Sequence, residues 1–184
     1  YSWGRDTGVA LSGLTRVGLR GEVHATLSYM LRAVSRTAPD LRVFYTMEGD
    51  DPRARVRRVR GWRGYRGSAP VQSGNRAARQ TQLGNYGDLL ETIERYVAEG
   101  NLLDEPTGLR VAEIADQVCR QWKRRDSGLW ELQRRRPYTS SKLGCWAALD
   151  RTLALARAGQ VPAEHQDKWR QTADEIRHYI RGAC

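Results

Sequence analysis

Apolar side chains recur at helical spacing in six separate segments, and this periodicity restricts the fold more than any other feature of the chain. In one segment Leu89, Leu90, Ile93 and Val97 form a single stripe that Gly100 ends. The predicted helices span residues 6–17, 22–35, 86–99 and 108–124, then a helix capped by Thr139, Ser140 or Ser141 and ended by Gly159, and a last helix opened by Pro162. The sequence therefore predicts an all-α fold of helical hairpins.

The connections between these helices alternate between short turns and long segments rich in glycine and tryptophan. Residues 41–45 form one short stretch that resembles a strand, and residues 46–85 form a long connection without sustained periodicity. A simple helix bundle would use short loops throughout. The alternation instead predicts a ring of helical hairpins whose long loops gather on one face.

The formal net charge of +10 comes from 31 basic residues, of which only Lys123, Lys142 and Lys168 are lysines. So strong a preference for arginine is more typical of genome composition than of selected phosphate binding. The densest cluster falls in a segment that contains proline and glycine and consists of Arg53, Arg55, Arg57, Arg58, Arg60, Arg63 and Arg66. We expect a solvated loop or hairpin there and no nucleic-acid partner, because a nucleic-acid reader would present such charges on one helix face.

The sequence contains no apolar run of membrane length and no segment that resembles a signal peptide. Because the chain starts at Tyr1 rather than Met, the lack of a signal carries little weight. Cys119, Cys145 and Cys184 match neither a disulfide framework nor the spacing of a zinc site. We expect free thiols, no bound metal, no membrane association and a cytoplasmic location.

Two short segments carry the chemistry, and both place charge beside an indole. The first is Trp3-Gly4-Arg5-Asp6 and the second is Ser127-Gly128-Leu129-Trp130-Glu131. Aromatic faces pack on the apolar face of a sugar ring, and an arginine–aspartate pair can hydrogen-bond its hydroxyls. A carboxyl group beside tryptophan has the environment of a general acid. Together the segments predict half of a site that cleaves sugars.

Simpler interpretations of the same residues stay open at this point. Local sequence alone favours a surface ion pair between Glu131 and Arg134 or Arg135. Asp6 can complement the dipole of a helix N-terminus, a role that is compatible with binding a sugar. Any single tryptophan can be a core residue. For Glu131, the wider set of motifs favours the role of general acid over the surface ion pair.

The motifs, taken in order, resemble glycoside hydrolase family 15, the glucoamylase-like enzymes that include bacterial trehalases and glucodextranases. They run through nearly the whole chain as Tyr1-Ser2-Trp3-Gly4-Arg5-Asp6, Gly64-Tyr65-Arg66-Gly67-Ser68-Ala69-Pro70-Val71, Gly74-Asn75, Gln82-Leu83-Gly84-Asn85-Tyr86-Gly87-Asp88, Asp126-Ser127-Gly128-Leu129-Trp130-Glu131, Tyr138-Thr139-Ser140-Ser141-Lys142 and Trp146-Ala147-Ala148-Leu149-Asp150-Arg151. Each motif alone is weak evidence, but the ordered set is specific.

This resemblance implies an (α/α)6 barrel, of which the chain would form about half, and exo-acting hydrolysis of α-glucosidic bonds with inversion and without a cofactor. Glu131 is the implied general acid. Arg5 and Asp6 are implied to hold the hydroxyls of the terminal glucose, and Trp3 and Trp130 to wall its pocket. The remaining implied lining residues are Tyr65, Arg66 and Lys142.

The catalytic base of the family is a second glutamate in a later hairpin, and no other glutamate here lies in such a motif. Residues 1–184 are therefore expected to be one incomplete catalytic domain, inactive alone, whose partner is the missing half of the barrel. The expected substrate is an α-glucoside or trehalose. The alternative is a non-catalytic barrel scaffold like that in the regulatory subunits of phosphorylase kinase.

Overall fold

The computed structural model describes residues 1–52 and 56–183, and their fold is almost entirely helical. The helices are α1 (Gly4–Arg16), α2 (Arg20–Ser35), α3 (Gly84–Ala98), α4 (Glu105–Gln121), α5 (Thr139–Arg157) and α6 (Gln166–Ala183). Two short antiparallel pairs accompany them, β1 (Ser2–Trp3) with β2 (Phe44–Tyr45) and β3 (Arg57–Arg58) with β4 (Gln72–Ser73). The predicted all-α class is confirmed.

The odd-numbered helices form one row, in which α1 packs on α3 and α3 packs on α5. The even-numbered helices lie against this row, with α2 on α1, α6 on α5, and α4 in contact with α3, α5 and α6. Apolar side chains fill the space between the two layers, and Leu90, Ile93, Ile114, Leu149 and Trp169 are completely buried. This two-layer arrangement of hairpins confirms the prediction of part of a helical barrel.

The first turns of α1, α3 and α5 lie at the same end of the row. Arg5 of α1 contacts Asn85 of α3, and glycines let α3 and α5 approach closely. A Cβ atom on Gly144 would lie 2.6 Å from the Cα atom of Gly84, and one on Gly87 would lie 2.6 Å from the carbonyl oxygen of Gly144. Only glycine fits these positions without moving a helix. Three positive helix ends therefore converge at one end of the layer.

Three predicted helix starts are wrong, and the first is that of α4, which begins at Glu105 rather than at residue 108. Tyr138, and not Thr139, Ser140 or Ser141, stands at the N-cap of α5 and makes no capping bond through its side chain. α6 begins at Gln166, four residues after Pro162. Of the strand-like residues 41–45, only Phe44–Tyr45 form a strand, because β1 offers two residues for pairing.

Residues 56–79, which we call the arginine arm, contain the paired strands β3 and β4, where the sequence predicts a solvated loop or hairpin. Arg57, Arg58, Arg60 and Arg63 are exposed, and among the described contacts no arginine of the arm forms an ion pair. Arg53 and Arg55 of the same predicted cluster lie outside the described residues. The described part of the cluster is thus a solvated hairpin, as predicted.

The cysteines and the apolar character of the helices can also be compared with the structure. Cys145 is buried and Cys119 is half-buried, and both are free thiols, whereas Cys184 lies outside the described residues. Within residues 1–52 and 56–183, no helix combines the length and the apolar character needed to span a bilayer.

Candidate active site

Residues 126–136, which we call the acid loop, connect the end of α4 to α5 and carry Glu131. Asp126 and Arg136 exchange two backbone hydrogen bonds of 3.1 and 3.0 Å, which close the base of the loop. The N–H of Ser127 donates to the carbonyl of Thr81 at 3.0 Å, and the N–H of Leu132 donates back to the carbonyl of Ser127 at 2.9 Å. The loop is therefore held in a defined conformation although it contains no helix or strand.

The fully buried carboxylate of Asp126 fixes the base of the loop to two helices. Its Oδ2 atom accepts hydrogen bonds from the N–H of Leu83 at 2.8 Å and from the hydroxyl of Ser141 at 2.7 Å. Leu83 precedes α3, and Ser141 lies in the first turn of α5. The negative charge thus lies near two positive helix ends, where it is stabilised. This contact also explains why Ser141 does not cap α5.

Glu131 has a φ of 55°, in the left-handed region that residues other than glycine rarely adopt. The nearby Gly128 has a φ of 65°, and a Cβ atom there would lie 2.6 Å from the ring of Tyr138. Glu131 is half-buried, and within the described part of the chain its carboxylate forms no ion pair with Arg134, Arg135 or any other basic residue. The surface ion pair that local sequence favoured is therefore absent, and no described basic side chain occupies the carboxyl group of Glu131.

Arg5 stands at the centre of a polar group that we call the Arg5 cluster: Arg5, Gln82, Asn85, Asp88 and the carbonyl of Leu129. Its Nη2 atom donates to the side-chain oxygens of Gln82 at 3.3 Å and Asn85 at 3.1 Å. Its Nε atom lies 3.3 Å from Oδ2 of Asp88, and its Nη1 atom donates to the Leu129 carbonyl at 3.4 Å. One guanidinium thus joins α1, α3 and the acid loop across more than a hundred residues of sequence.

The Arg5 cluster borders an open cavity of about 330 Å³ at the shared end of α1, α3 and α5. Arg5, Asp88 and Leu129 line it together with Ser140 and Ser141. Glu131 is two residues beyond Leu129, and its own carbonyl accepts a hydrogen bond from Gln80 at 3.0 Å. The two segments that the sequence singled out therefore lie side by side, next to a cavity of the size of a ligand pocket.

Asp88 is a member of this site that the sequence analysis did not name as a site residue. Burial raises the pKa of its carboxyl group, and the adjacent Arg5 guanidinium opposes that rise. Asp88 was visible in the sequence as the end of the motif that begins at Gln82. The three-residue spacing of Gln82, Asn85 and Asp88 places their side chains near one another at the start of α3, which is the signal that could have identified them.

Asp6 is exposed in the first turn of α1, as expected for either of its predicted roles. The ring of Trp3 packs against the ring of Phe44, with their centroids 4.5 Å apart. Trp130 is 79% exposed, so one of the two predicted aromatic walls is open to solvent. Among the described contacts, none joins these three side chains to Arg5.

Tyr65 and Arg66 lie in the arginine arm, away from the contacts of the Arg5 cluster. Tyr65 is 82% exposed, and the guanidinium of Arg66 lies over its ring, 5.4 Å from the centroid. Arg66 has a φ of 52° within the short 3-10 turn Tyr65–Gly67. The described contacts do not connect these two residues with Glu131.

Lys142, a predicted lining residue, is buried and is not among the residues that line the cavity. Its ammonium donates to the carbonyl of Trp122 and, at 2.7 Å, to the carbonyl of Arg124, just beyond the C-terminus of α4. Burial lowers the pKa of Lys142. A positive charge beside terminal carbonyls stabilises the negative end of a helix, so the observed contacts of Lys142 hold α5 to α4.

The family model of glycosyl hydrolases family 15 matches residues 1–184, the whole chain. The chain belongs to this family. The resemblance inferred from the ordered motifs is thereby confirmed, and the site described above is that of a family 15 chain.

This family 15 chain is similar in sequence to several trehalases. It is 32% identical to the trehalase of Thermoplasma acidophilum over 96% of this chain and 30% of that protein. It is 35% identical to trehalase 1 of Sulfolobus acidocaldarius over 82% of this chain and 28% of that protein. It is 30% identical to the trehalase of Mycolicibacterium smegmatis over 96% of this chain and 27% of that protein. The chain spans less than a third of the length of these relatives. No solved structure matches it.

Proposed function

We propose that the full-length gene product hydrolyses α-glucosidic bonds with inversion at the anomeric carbon, and that trehalose is its substrate. The observation that carries this proposal is the contact of the Arg5 guanidinium with the acid loop beside the cavity. It brings a residue suited to hold sugar hydroxyls next to the segment that carries a free carboxyl group. Membership of family 15 and the trehalase names of the relatives support the choice of reaction and substrate.

In the proposed reaction, Glu131 acts as the general acid. Its proton passes to the glycosidic oxygen as the bond between that oxygen and the anomeric carbon breaks, and the bonding electrons leave with the oxygen. A water molecule attacks the opposite face of the sugar and gives its proton to a second carboxylate. We propose that this base lies outside residues 1–184, in the part of the relatives' length that the chain does not match.

The other site residues bind the sugar in this proposal. Four of the five N–H groups of Arg5 point to Gln82, Asn85, Asp88 and the Leu129 carbonyl, and the remaining N–H on Nη1 donates to a hydroxyl oxygen at the cavity. The exposed carboxylate of Asp6 accepts hydrogen bonds from hydroxyl groups. The exposed ring of Trp130 offers an apolar face to the sugar ring. Tyr65 and Arg66 are proposed to contact the more distant part of a substrate.

The test is to follow trehalose hydrolysis by the full-length gene product with proton NMR before the anomers equilibrate. Inversion converts one α-linked glucose to the β anomer and releases the other as the α anomer, so the first products should contain both in equal amounts. Only α-glucose would show retention and contradict the mechanism. Lack of hydrolysis of both trehalose and maltooligosaccharides would favour the non-catalytic scaffold.

The 184-residue chain alone is proposed to be inactive, because it would lack the base. Purified residues 1–184 should therefore show no release of glucose from trehalose under conditions in which the full-length gene product is active. Measurable turnover by the chain alone would place the base within these residues.

A further inference from the structure

A second route connects Arg5 to the acid loop through two glutamine side chains. The Nη2 atom of Arg5 donates to Oε1 of Gln82 at 3.3 Å, and Nε2 of Gln82 donates to Oε1 of Gln80 at 3.2 Å. Nε2 of Gln80 then donates to the main-chain carbonyl of Glu131 at 3.0 Å. We call these three hydrogen bonds the glutamine relay.

The direction of the glutamine relay is fixed by its two ends. A guanidinium can only donate, and a carbonyl oxygen can only accept. Each glutamine must therefore turn its oxygen toward Arg5 and its NH2 group toward Glu131. Gln82 is only 5% exposed, so its amide has little water to exchange with, and a reversed amide would leave its groups poorly satisfied.

The relay and the direct Arg5 contact hold the two carbonyls on either side of Trp130. Arg5 binds the carbonyl of Leu129, and Gln80 binds that of Glu131. The segment between them includes the residue with the unfavourable φ of 55°. Such a conformation persists only where surrounding contacts fix it.

We propose that Gln80 and Gln82 are positioning residues that hold Glu131 in its left-handed conformation and couple its place to that of Arg5. This inference rests on the proposed function of Glu131 as the general acid. The sugar-holding guanidinium and the acid then move as one unit, so that a sugar bound by Arg5 meets the proton donor at a fixed distance.

The test compares Gln80→Met with Gln133→Met in the full-length gene product. Methionine keeps the length of glutamine and removes its donor and acceptor without adding charge. Gln133 lies in the same loop, is exposed, and makes no side-chain hydrogen bond among the described contacts. For trehalose hydrolysis, we expect Gln80→Met to lower kcat about tenfold and to change KM less than about twofold, because the loss of one hydrogen bond misplaces the acid and leaves Arg5 in place. Gln133→Met should change neither.

A second variant, Gln80→Glu, keeps an acceptor for Gln82 and removes the donor to the Glu131 carbonyl. It should give a similar loss of kcat. Unchanged kcat in both Gln80 variants would overturn the inference. Equal losses in kcat and in the melting temperature of both Gln80→Met and Gln133→Met would also overturn it, since that result would show a general structural effect.

Amide hydrogen exchange separates this inference from the proposed function. Gln80→Met should speed exchange in residues 127–133 about tenfold relative to Gln133→Met, while exchange in α3 and α5 stays unchanged. If the unmodified protein shows no hydrolysis, the proposed function fails and the exchange result alone decides whether the relay holds the loop. If the protein is active and neither kcat nor exchange responds to Gln80→Met, only the relay is contradicted.

Discussion

Two charged side chains, Arg5 and Asp116, each contact several partners. Arg5 binds residues of α3 and the main chain of the acid loop. Asp116 of α4 forms the second group, which we call the Asp116 cluster. It accepts a hydrogen bond from the indole N–H of Trp169 at 2.8 Å and forms an ion pair with Lys168 at 3.2 Å, and its Oδ2 atom lies 2.9 Å from Nδ1 of His165.

The difference between the two clusters lies in what their partners do. The Asp116 cluster joins α4 to Lys168 and Trp169 of α6 and to His165 just before α6, and Asp116, His165 and Trp169 also line an open cavity of about 230 Å³. The Arg5 cluster joins two helices to a loop that contains a strained residue and borders a cavity. Both clusters thus border a cavity, and what separates them is that Arg5 holds the loop that carries Glu131, whereas Asp116 holds α6 to α4.

The first prediction concerns Arg5→Lys and should show the largest effect on the reaction. Lysine keeps the charge but cannot bind Gln82, Asp88 and the Leu129 carbonyl with one planar fork. We expect kcat/KM for trehalose to fall about 100-fold, the equivalent of two charge-assisted hydrogen bonds, while the protein stays folded. Arg170→Lys, on the exposed side of α6, should leave kcat/KM unchanged. A decrease of less than threefold for Arg5→Lys would remove the distinction between the clusters.

The second prediction concerns the helix contact beneath the Arg5 cluster. Gly144→Ala should lower the free energy of unfolding by about 1–3 kcal/mol, because the new Cβ atom would meet the backbone of Gly84. Gly13→Ala, inside α1 and with no atom within 4 Å of its Cβ position, should instead raise stability by up to about 1 kcal/mol. Urea denaturation measures both, and equal effects would contradict the close approach of α3 and α5.

The third prediction addresses the Asp116 cluster. Burial raises the pKa of Asp116. Hydrogen bonds from Trp169 and Lys168 and the charges of Lys168 and His165 lower this pKa by a larger amount in total, so the net shift is downward. A carboxyl group whose pKa is lowered in the folded state stabilises the fold at pH values above its ordinary pKa. This contribution is lost as the pH falls through the lowered pKa.

Asp116→Asn should therefore lower the free energy of unfolding by about 1 kcal/mol at pH 7, with the difference from the unmodified protein narrowing below about pH 4. Its kcat should be unchanged. Asp150→Asn, which removes a surface ion pair with Arg151, should change stability by less than about 0.5 kcal/mol at either pH. A loss of kcat in Asp116→Asn would show that this cluster supports the site as well.

The fourth prediction concerns the arginine arm and should show the smallest effect. Because Tyr65 is exposed, Tyr65→Ala should change stability by less than about 0.5 kcal/mol. If Tyr65 lines the outer site as proposed, KM for trehalose should rise about threefold through the loss of one aromatic contact. Trp62→Ala, in the same exposed arm, is the matched control. Equal KM values for both variants and the unmodified protein would exclude Tyr65 from the site.

The sequence predicted the helices well because the helical core leaves a periodic apolar pattern. The N-cap of α5 was predicted wrongly because a side chain in its first turn has a distant partner. Ser141 was a reasonable cap for α5, but its hydroxyl binds Asp126. Lys142 stands within a family motif, yet its ammonium reaches carbonyls at the end of α4. Local patterns do not reveal such tertiary partners.

The candidate site could be predicted in part for the same reason. Arg5 and Glu131 stand out through their indole neighbours and their motifs, and the structure brings their segments together. Gln80 and Gln82 carry no such signal, because their meaning depends on contacts made 51 and 77 residues away along the chain. The unusual φ of Glu131 likewise follows from the folded loop and not from its residue type.

The most direct test of the proposed mechanism is the kcat of Glu131→Gln in the full-length gene product with two substrates. Trehalose needs a proton on its leaving oxygen, whereas α-glucosyl fluoride has a leaving group that departs with little help from an acid. We predict that Glu131→Gln lowers kcat for trehalose by about 10²- to 10⁴-fold and lowers kcat for the fluoride far less. A kcat for trehalose within a few fold of the unmodified protein would contradict the assignment of Glu131 as the acid.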